Sequence, residues 1–136
     1  MRIFIDTAPF IYLVEGHPVL ANRVRTFILN AVSNDSDFMT SVITIMEYGV
    51  MPTRKEKEAL IHEFDRFIQS LNIPVEIIDR GTAEFAYKLR AKYGFLRGMD
   101  ALQLSVAIET GCGIFMTNDK KLKNITEIQV LIVEDL

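Results

Sequence analysis

Four acidic side chains, spread over most of the chain, lie beside short apolar segments and are the first candidates for chemistry. They are Asp6, Glu47, Asp100 and Asp119. If these carboxylates meet, their like charges cannot all remain ionised without a counter-charge. Hard cations with oxygen ligands supply that charge, so an all-carboxylate site indicates magnesium or manganese. Such sites carry out phosphoryl chemistry, and hydrolysis of a phosphodiester bond is the reaction that matches them.

Each acid also has a purely structural interpretation. Asp6 and Asp119 can cap the helical segments that follow them, and Asp100 can act as a cap favoured by a helix dipole. Glu47 has apolar neighbours on most sides, and a buried carboxylate there is costly unless it is paired or bound to a cation. The alternative for Glu47 is a partly exposed position on a polar stripe with Thr44.

Other metal chemistries and other broad classes of protein find little support. His17 and His62 are far apart in sequence and are expected at the surface, so no zinc site is predicted. Cys112 is the only cysteine, which excludes an internal disulfide and favours a reducing, cytoplasmic setting. No apolar run has the length of a membrane span, and Asp6 interrupts the apolar N-terminal segment in a way that a secretory signal would not tolerate.

The composition indicates one domain over residues 1–136 with a substantial core. The chain is 49% hydrophobic and 24% charged, which excludes disordered and collagen-like classes. The formal net charge is −3, which argues against a general basic nucleic-acid binder but not against a nuclease whose site contains several acids.

Apolar periodicity and turn residues predict alternating strands and helices. Predicted strands cover residues 3–5, 37–40, 74–78, 113–117 and 128–133. Predicted helices cover residues 7–15, 19–32, 42–50 with Ser41 as cap, 54–71 after a stop at Pro52, 81–93 ended by a left-handed Gly94, and 100–110 closed by Gly111, with a short turn at 119–123. This alternation predicts a mainly parallel sheet between layers of helices.

In such a sheet the carboxyl ends of the strands share one edge, which is where ligands bind. Asp6 ends the first strand, and Asp119 follows the fourth strand by two residues. Asp100 begins the helix that leads into the fourth strand, and Glu47 lies about one and a half turns into the helix that leaves the second. The four carboxylates are therefore expected at the same edge.

The residues around these acids resemble a known family. The segments are IDTAPFIYLVE, TSVITIMEYGV, LRAKYGFLRGMDALQLSVAIETG and FMTNDKKL. Their order and spacing, over nearly the whole chain, are similar to PIN domains, specifically the single-domain VapC-type ribonuclease toxins.

The resemblance implies a three-layer α/β/α fold with strand order 3-2-1-4-5, which puts Asp6 and Asp119 side by side at the topological switch point. It implies that all four acids bind Mg²⁺ or Mn²⁺ and are catalytic. Thr7 and Thr117 match positions where a small polar group helps to shape the site. Ala8 and Met99 depart from the residues common in the family, asparagine and proline, without removing a ligand.

The resemblance further implies an RNA substrate, a small antitoxin partner and a two-fold homodimer. Two basic clusters flank the acids and are candidates for RNA binding; they contain Lys88, Arg90, Lys92 and Arg97, and Lys120 and Lys121. Tyr93 and Phe95 lie in the first cluster, where they could stack on bases but are expected to pack under the loop. The predicted helices between residues 19 and 71 carry more apolar side chains than one sheet face can cover, which predicts an exposed patch for a second copy or for an antitoxin helix.

Other functions remain open from the sequence. A phosphatase of the haloacid-dehalogenase type would need a second aspartate where Ala8 stands, and a receiver domain would need acids upstream of Asp6. An RNA-processing PIN nuclease outside a toxin pair, or a PIN-like module that binds without cutting, fits the same residues, although retention of all four acids argues against the latter.

Overall fold

A five-stranded parallel sheet organises the chain. The computed structural model describes residues 1–136 and contains the strands β1 (Arg2–Ile5), β2 (Asp37–Ser41), β3 (Val75–Glu76), β4 (Ile114–Thr117) and β5 (Gln129–Ile132). Their order across the sheet is β3-β2-β1-β4-β5, and every neighbouring pair is parallel. This confirms the predicted α/β architecture and the strand order that the resemblance implied.

Six helices connect these strands. They are α1 (Thr7–Glu15), α2 (Leu20–Ser33), α3 (Val42–Arg54), α4 (Glu58–Ser70), α5 (Arg80–Lys92) and α6 (Gly98–Glu109), followed by short 3-10 helices at Lys120–Asn124 and Val133–Asp135. Gly111 closes the end of α6 with a φ of 78°, as predicted. None of the helices combines the length and the apolar character needed to cross a bilayer.

The helices cover both faces of the sheet because the central strands alternate their apolar side chains between the two faces. Ile3 and Ile5 point to a core shared with α1, α2 and α4. Phe4 points to the opposite core, shared with α5 and α6. The fold is therefore a three-layer sandwich with two apolar cores, and most of its polar chemistry is left to the ends of the strands.

The pairing of β1 with β4 brings together the segments that carry the predicted site. Phe4 lies opposite Phe115, and the two rings stack with their centroids 5.1 Å apart. One residue further on, Ile5 lies opposite Met116. The next residues, Asp6 and Thr117, consequently emerge beside each other at the carboxyl edge, where the chain order reverses across the sheet.

Helix α3 extends further than the sequence predicted. The predicted stop at Pro52 and the predicted start of the next helix at residue 54 are wrong, because α3 continues to Arg54 and α4 begins at Glu58 without a side-chain cap. The predicted end of that helix at residue 71 agrees with the structure to within one residue. Pro52 lies in the last turn of α3, where a missing N–H removes only one helical hydrogen bond, and the residue is buried. Burial of this proline outweighs its tendency to end a helix.

Two further local predictions are wrong. The third strand is only two residues long, because β3 is an edge strand that pairs with β2 alone, Pro74 has no N–H to donate, and Ile77 is exposed. Gly94 does not end α5 in a left-handed conformation. The C-cap is Tyr93, whose backbone is extended at φ −118° and ψ 95°.

The helices between residues 19 and 71 leave apolar side chains exposed, as predicted. Leu20, Ile28 and Phe64 are buried in the core, and among the large side chains of α2 and α4 Leu29 and Val32 stay exposed. A larger exposed apolar row lies on α3, formed by Val42, Ile45, Met46, Val50 and Met51. An apolar cavity of about 540 Å³ also lies between α1, α2 and α4.

Candidate active site

Asp6 lies at the tip of β1 and is held from three sides. Its backbone N–H donates to the carbonyl of Met116 on β4 at 3.0 Å. Its Oδ1 accepts the N–H of Thr7 at 2.8 Å, so that Asp6 caps α1, and its Oδ2 accepts the hydroxyl of Thr117 at 2.8 Å. The capping role proposed as an alternative is therefore real, and it coexists with a central place at the sheet edge.

The environment of Asp6 disfavours its charge. Burial raises the pKa of Asp6 from 3.8 to about 6, against hydrogen bonds from Thr117 and Thr7 that lower it, and the nearby charges of Asp100 and Glu47 raise it further. Every group that donates a hydrogen bond to this carboxylate is neutral. The Asp6 site therefore lacks a positive charge in direct contact.

Glu47 reaches the same place from α3. Its Oε1 accepts the hydroxyl of Thr7 at 2.8 Å, and Thr7 thus contacts both Asp6 and Glu47. The expectation of a buried Glu47 is wrong, because its apolar neighbours Ile45 and Met46 face solvent and Glu47 itself is exposed. The argument from desolvation does not apply to Glu47, although its placement beside Asp6 agrees with the prediction.

Arg97 joins the other two acids. Its Nε donates to Asp100 Oδ2 at 3.1 Å, and its Nη2 lies 3.7 Å from Asp119 Oδ2. Asp100 lies in the first turn of α6 but is not its cap, whereas Asp119 caps the 3-10 helix by accepting the N–H of Lys121 at 3.1 Å. The hydrogen bond to Asp100, together with the charges of Asp100, Asp119 and Glu47, raises the pKa of the Arg97 guanidinium.

The structure thus brings all four predicted acids to one edge of the sheet. Thr117 Oγ1 connects Asp6 to the backbone N–H of Asp119, at 3.2 Å, so that both predicted threonines link pairs of acids. No three acidic, histidine or cysteine side chains are arranged as a ready ligand set for one metal ion. The four carboxylates fit a divalent cation in ligand type and in charge. Two of them, Asp100 and Asp119, are paired with the exposed guanidinium of Arg97.

A buried polar network below Asp6 was missed by the sequence interpretation. Gln103 on α6 is 1% exposed, and its Nε2 donates to Thr44 Oγ1 at 2.7 Å and to Asp6 Oδ1 at 3.3 Å. Ser41, treated only as a helix cap, also donates to Gln103 Oε1. A glutamine in the middle of an apolar helix, three residues after Asp100 and on the same face, was the signal that could have revealed it.

The six predicted RNA-binding residues differ in whether their side chains already form ion pairs or hydrogen bonds. Lys92 is paired with Glu127 at 2.6 Å, and Lys120 with Glu134 at 2.8 Å. Arg90 donates to the carbonyl of Leu96, and Arg97 is engaged by Asp100 and Asp119. Only Lys88 and Lys121 form no ion pair or side-chain hydrogen bond, and of these Lys121 lies beside Asp119.

Comparison with known proteins connects this arrangement to a family. A family model described as the PIN domain matches residues 3–128, a range that includes all four carboxylates. A comparison with curated proteins finds none that matches the chain.

Several solved structures share the fold. VapBC2 from Rickettsia felis, bound to a DNA fragment from its promoter, is similar with a TM-score of 0.79 and 22% identity over 97% of this chain and 98% of that chain. DNA-bound VapBC from Salmonella typhimurium gives 0.75 and 21% over 98% of both chains. VapC20 from Mycobacterium tuberculosis, described as a sarcin-ricin loop cleaving toxin, gives 0.69 and 16% over 93% of this chain and 98% of that chain. At these identities the likeness establishes the fold.

The raised pKa of Asp6 predicts a pH-dependent loss of stability in metal-free protein. Asp6 binds its proton more tightly in the folded than in the unfolded chain, so the stabilisation is present below about pH 4 and is lost as pH rises through about 6. Asp6→Asn abolishes this loss. We expect urea denaturation in EDTA to show the variant more stable than the parent by up to about 3 kcal/mol at neutral pH, with no gain near pH 4. If the variant and the parent were equally stable at neutral pH, the raised pKa of Asp6 would be contradicted.

The Gln103 network predicts a second stability effect. Gln103→Leu leaves Thr44, Ser41 and Asp6 without their buried partner, and we expect the free energy of unfolding to fall by about 1–3 kcal/mol in urea denaturation. Gln69→Leu, at an exposed position on α4, is the matched control and should leave stability nearly unchanged. Equal stability of the two variants would show that the network is dispensable.

Proposed function

Because the chain belongs to the PIN-domain family, we propose that it is a metal-dependent endoribonuclease and the toxin component of a VapBC-type toxin–antitoxin pair. The observation that carries the proposal is the meeting of Asp6, Glu47, Asp100 and Asp119 at the carboxyl edge of a PIN-type sheet. In this proposal residues 1–136 act as a single PIN domain in the cytoplasm.

The four carboxylates are the residues that would hold Mg²⁺ or Mn²⁺. When bound there, such an ion would supply positive charge beside the phosphodiester and would lower the pKa of a water molecule. The hard oxygen donors and the absence of histidine or cysteine among them favour these ions over zinc. Ionisation of Asp6 is part of cation binding, since its carboxyl group is the one that burial keeps partly protonated near pH 6.

The surrounding side chains hold the acids in place and handle charge. The hydroxyl groups of Thr7 and Thr117 donate hydrogen bonds to Glu47 and Asp6, respectively. These bonds fix the carboxylate oxygens before substrate binds. Arg97 neutralises Asp100 and Asp119 in the metal-free chain. If those two carboxylates held a cation, the exposed Arg97 guanidinium would be free to contact an RNA phosphate at the rim of the site.

The toxin assignment is supported by the similar structures and by the uncovered surface. The likeness to VapBC complexes from Rickettsia felis and Salmonella typhimurium extends over nearly the whole chain. The exposed row on α3 and the apolar cavity between α1, α2 and α4 give two apolar surfaces for protein partners. We propose that the two partners that bind these surfaces are a second copy of the chain, which forms a homodimer, and a small antitoxin. A neighbouring reading frame that encodes a small protein would support the assignment to a toxin–antitoxin pair.

Loss of one carboxylate should remove cleavage without unfolding the protein. Asp6→Asn is nearly isosteric, keeps the oxygen that caps α1 and removes one metal-binding charge. We expect Mg²⁺- or Mn²⁺-dependent RNA cleavage to fall by more than about 100-fold, the upper range for residues that only support a metal ligand. Asp65→Asn, on the exposed side of α4, is the matched control and should cleave like the parent. A folded Asp6→Asn variant with undiminished metal-dependent cleavage would refute the site.

Lys121 should contribute one phosphate contact. In the Asp6→Asn background, which keeps the RNA intact, we expect Lys121→Gln to reduce the slope of log affinity against log salt by about 0.7 for single-stranded RNA. Lys57→Gln, which removes an exposed charge in the turn before α4, is the control and should leave the slope unchanged. An unchanged slope for Lys121→Gln would place the RNA elsewhere on the surface.

A further inference from the structure

A cavity of about 330 Å³ opens beside two of the four acids. Its lining consists of Phe95, Arg97, Asp100, Asp119, Lys121 and Leu122. We propose that this cavity binds one unpaired RNA nucleotide adjacent to the cleaved phosphate, with its base stacked on Phe95 and its phosphate contacted by Lys121. The inference rests on the proposed ribonuclease function and adds to it a nucleotide subsite formed by Phe95 and Lys121.

Phe95 is presented to solvent by a loop that is fixed on both sides. The hydroxyl of Tyr93 donates to Glu127 at 2.8 Å, and the N–H of Leu96 donates to the carbonyl of Tyr93 at 3.0 Å. Leu96 is buried, whereas Phe95 is 41% exposed. The expectation that Phe95 packs under the loop is wrong because Leu96 fills that place. A ring held in this way binds a ligand with little loss of loop entropy.

The neighbouring aromatic ring is already occupied. The Tyr93 ring lies under the ammonium of Lys92, which is 5.2 Å from the ring centroid, and its hydroxyl is tied to Glu127 and Thr126. Its centroid is 5.9 Å from that of Phe95, with the two planes tilted by 60°. Tyr93 therefore supports Phe95 from the side, and Phe95 is the aromatic surface of this loop that lines the cavity.

Lys121 supplies an unpaired positive charge in the same cavity. Lys120 and Lys123, its neighbours on the 3-10 helix, are paired with Glu134 and Asp135, whereas Lys121 forms no ion pair. The backbone N–H of Lys121 donates to Asp119, which fixes the start of its side chain next to a proposed catalytic acid. A phosphate held by Lys121 therefore belongs to a nucleotide close to the cleaved bond.

The combination of an aromatic ring and a free cation identifies the ligand as an unpaired nucleotide. A ring stacks on a base only when the base has left its own stack, which excludes the interior of a duplex. The volume lies at the lower end of the range for small-ligand sites, about 300–1,000 Å³, and is therefore suited to one nucleotide rather than to several. Stacking tolerates every base, so the cavity selects strandedness rather than sequence.

The test compares binding of single-stranded and double-stranded RNA. Fluorescence anisotropy with a labelled oligoadenylate and a labelled RNA duplex is measured on the Asp6→Asn chain, alone and combined with Phe95→Ala, Phe95→Trp or Tyr87→Ala. Tyr87 is the matched control, an exposed aromatic residue on α5 that does not line the cavity. We expect Phe95→Ala to weaken oligoadenylate binding by about 5- to 100-fold without changing its salt slope. Phe95→Trp should retain the affinity, and Tyr87→Ala should match the parent.

The outcomes separate the subsite from the proposed function. Equal oligoadenylate affinity of Phe95→Ala and its parent would overturn the subsite, and so would an equal loss of affinity for duplex and single strand. If the unsubstituted chain cleaves RNA while Phe95→Ala changes neither affinity, the nuclease proposal stands and the subsite fails. If the unsubstituted chain neither cleaves nor binds either RNA, both fail together.

Discussion

Carboxylates that meet at one point repel each other, and much of the polar structure of this protein responds to that repulsion. Asp6 cannot leave the site because its backbone pairs with β4 and its side chain caps α1. Burial raises its pKa to about 6, and the hydroxyl and amide groups that donate hydrogen bonds to it bring no positive charge. Arg97 is the one cation that pairs with the acids, and it reaches Asp100 and Asp119 from an exposed position. A divalent cation would complete the neutralisation that these groups only begin.

The order of the strands makes this meeting unavoidable. Because β1 and β4 are neighbours, the residues that follow them leave the sheet together, and the stacked Phe4 and Phe115 rings fix the register below the site. The helices on either face then bring Glu47 and Asp100 to the same edge. Glu47 and Asp100 lie on helices that pack into different apolar cores, one on each face of the sheet. The geometry of the site therefore depends on packing in both cores.

The alternation of strands and helices, and the edge shared by the four acids, could be predicted because both depend on apolar periodicity and on the handedness of parallel crossovers. The end of α3 could not, since burial of Pro52 depends on tertiary packing that no local rule contains. The exposure of Glu47 was misjudged because apolar neighbours were assumed to be buried, whereas those on α3 face solvent. The role of Gln103 was hidden because its partners Ser41 and Thr44 lie far away in sequence.

The most direct test of the acid cluster is anomalous diffraction from crystals of the unsubstituted chain soaked in Mn²⁺. The account predicts an anomalous peak at the carboxyl edge of the sheet, with oxygens of Asp6 and Asp119 at about 2.0–2.5 Å and Arg97 withdrawn from the acids. It is contradicted by crystals of protein that cleaves RNA with Mn²⁺ but binds the ion elsewhere, with Arg97 still joining Asp100 to Asp119.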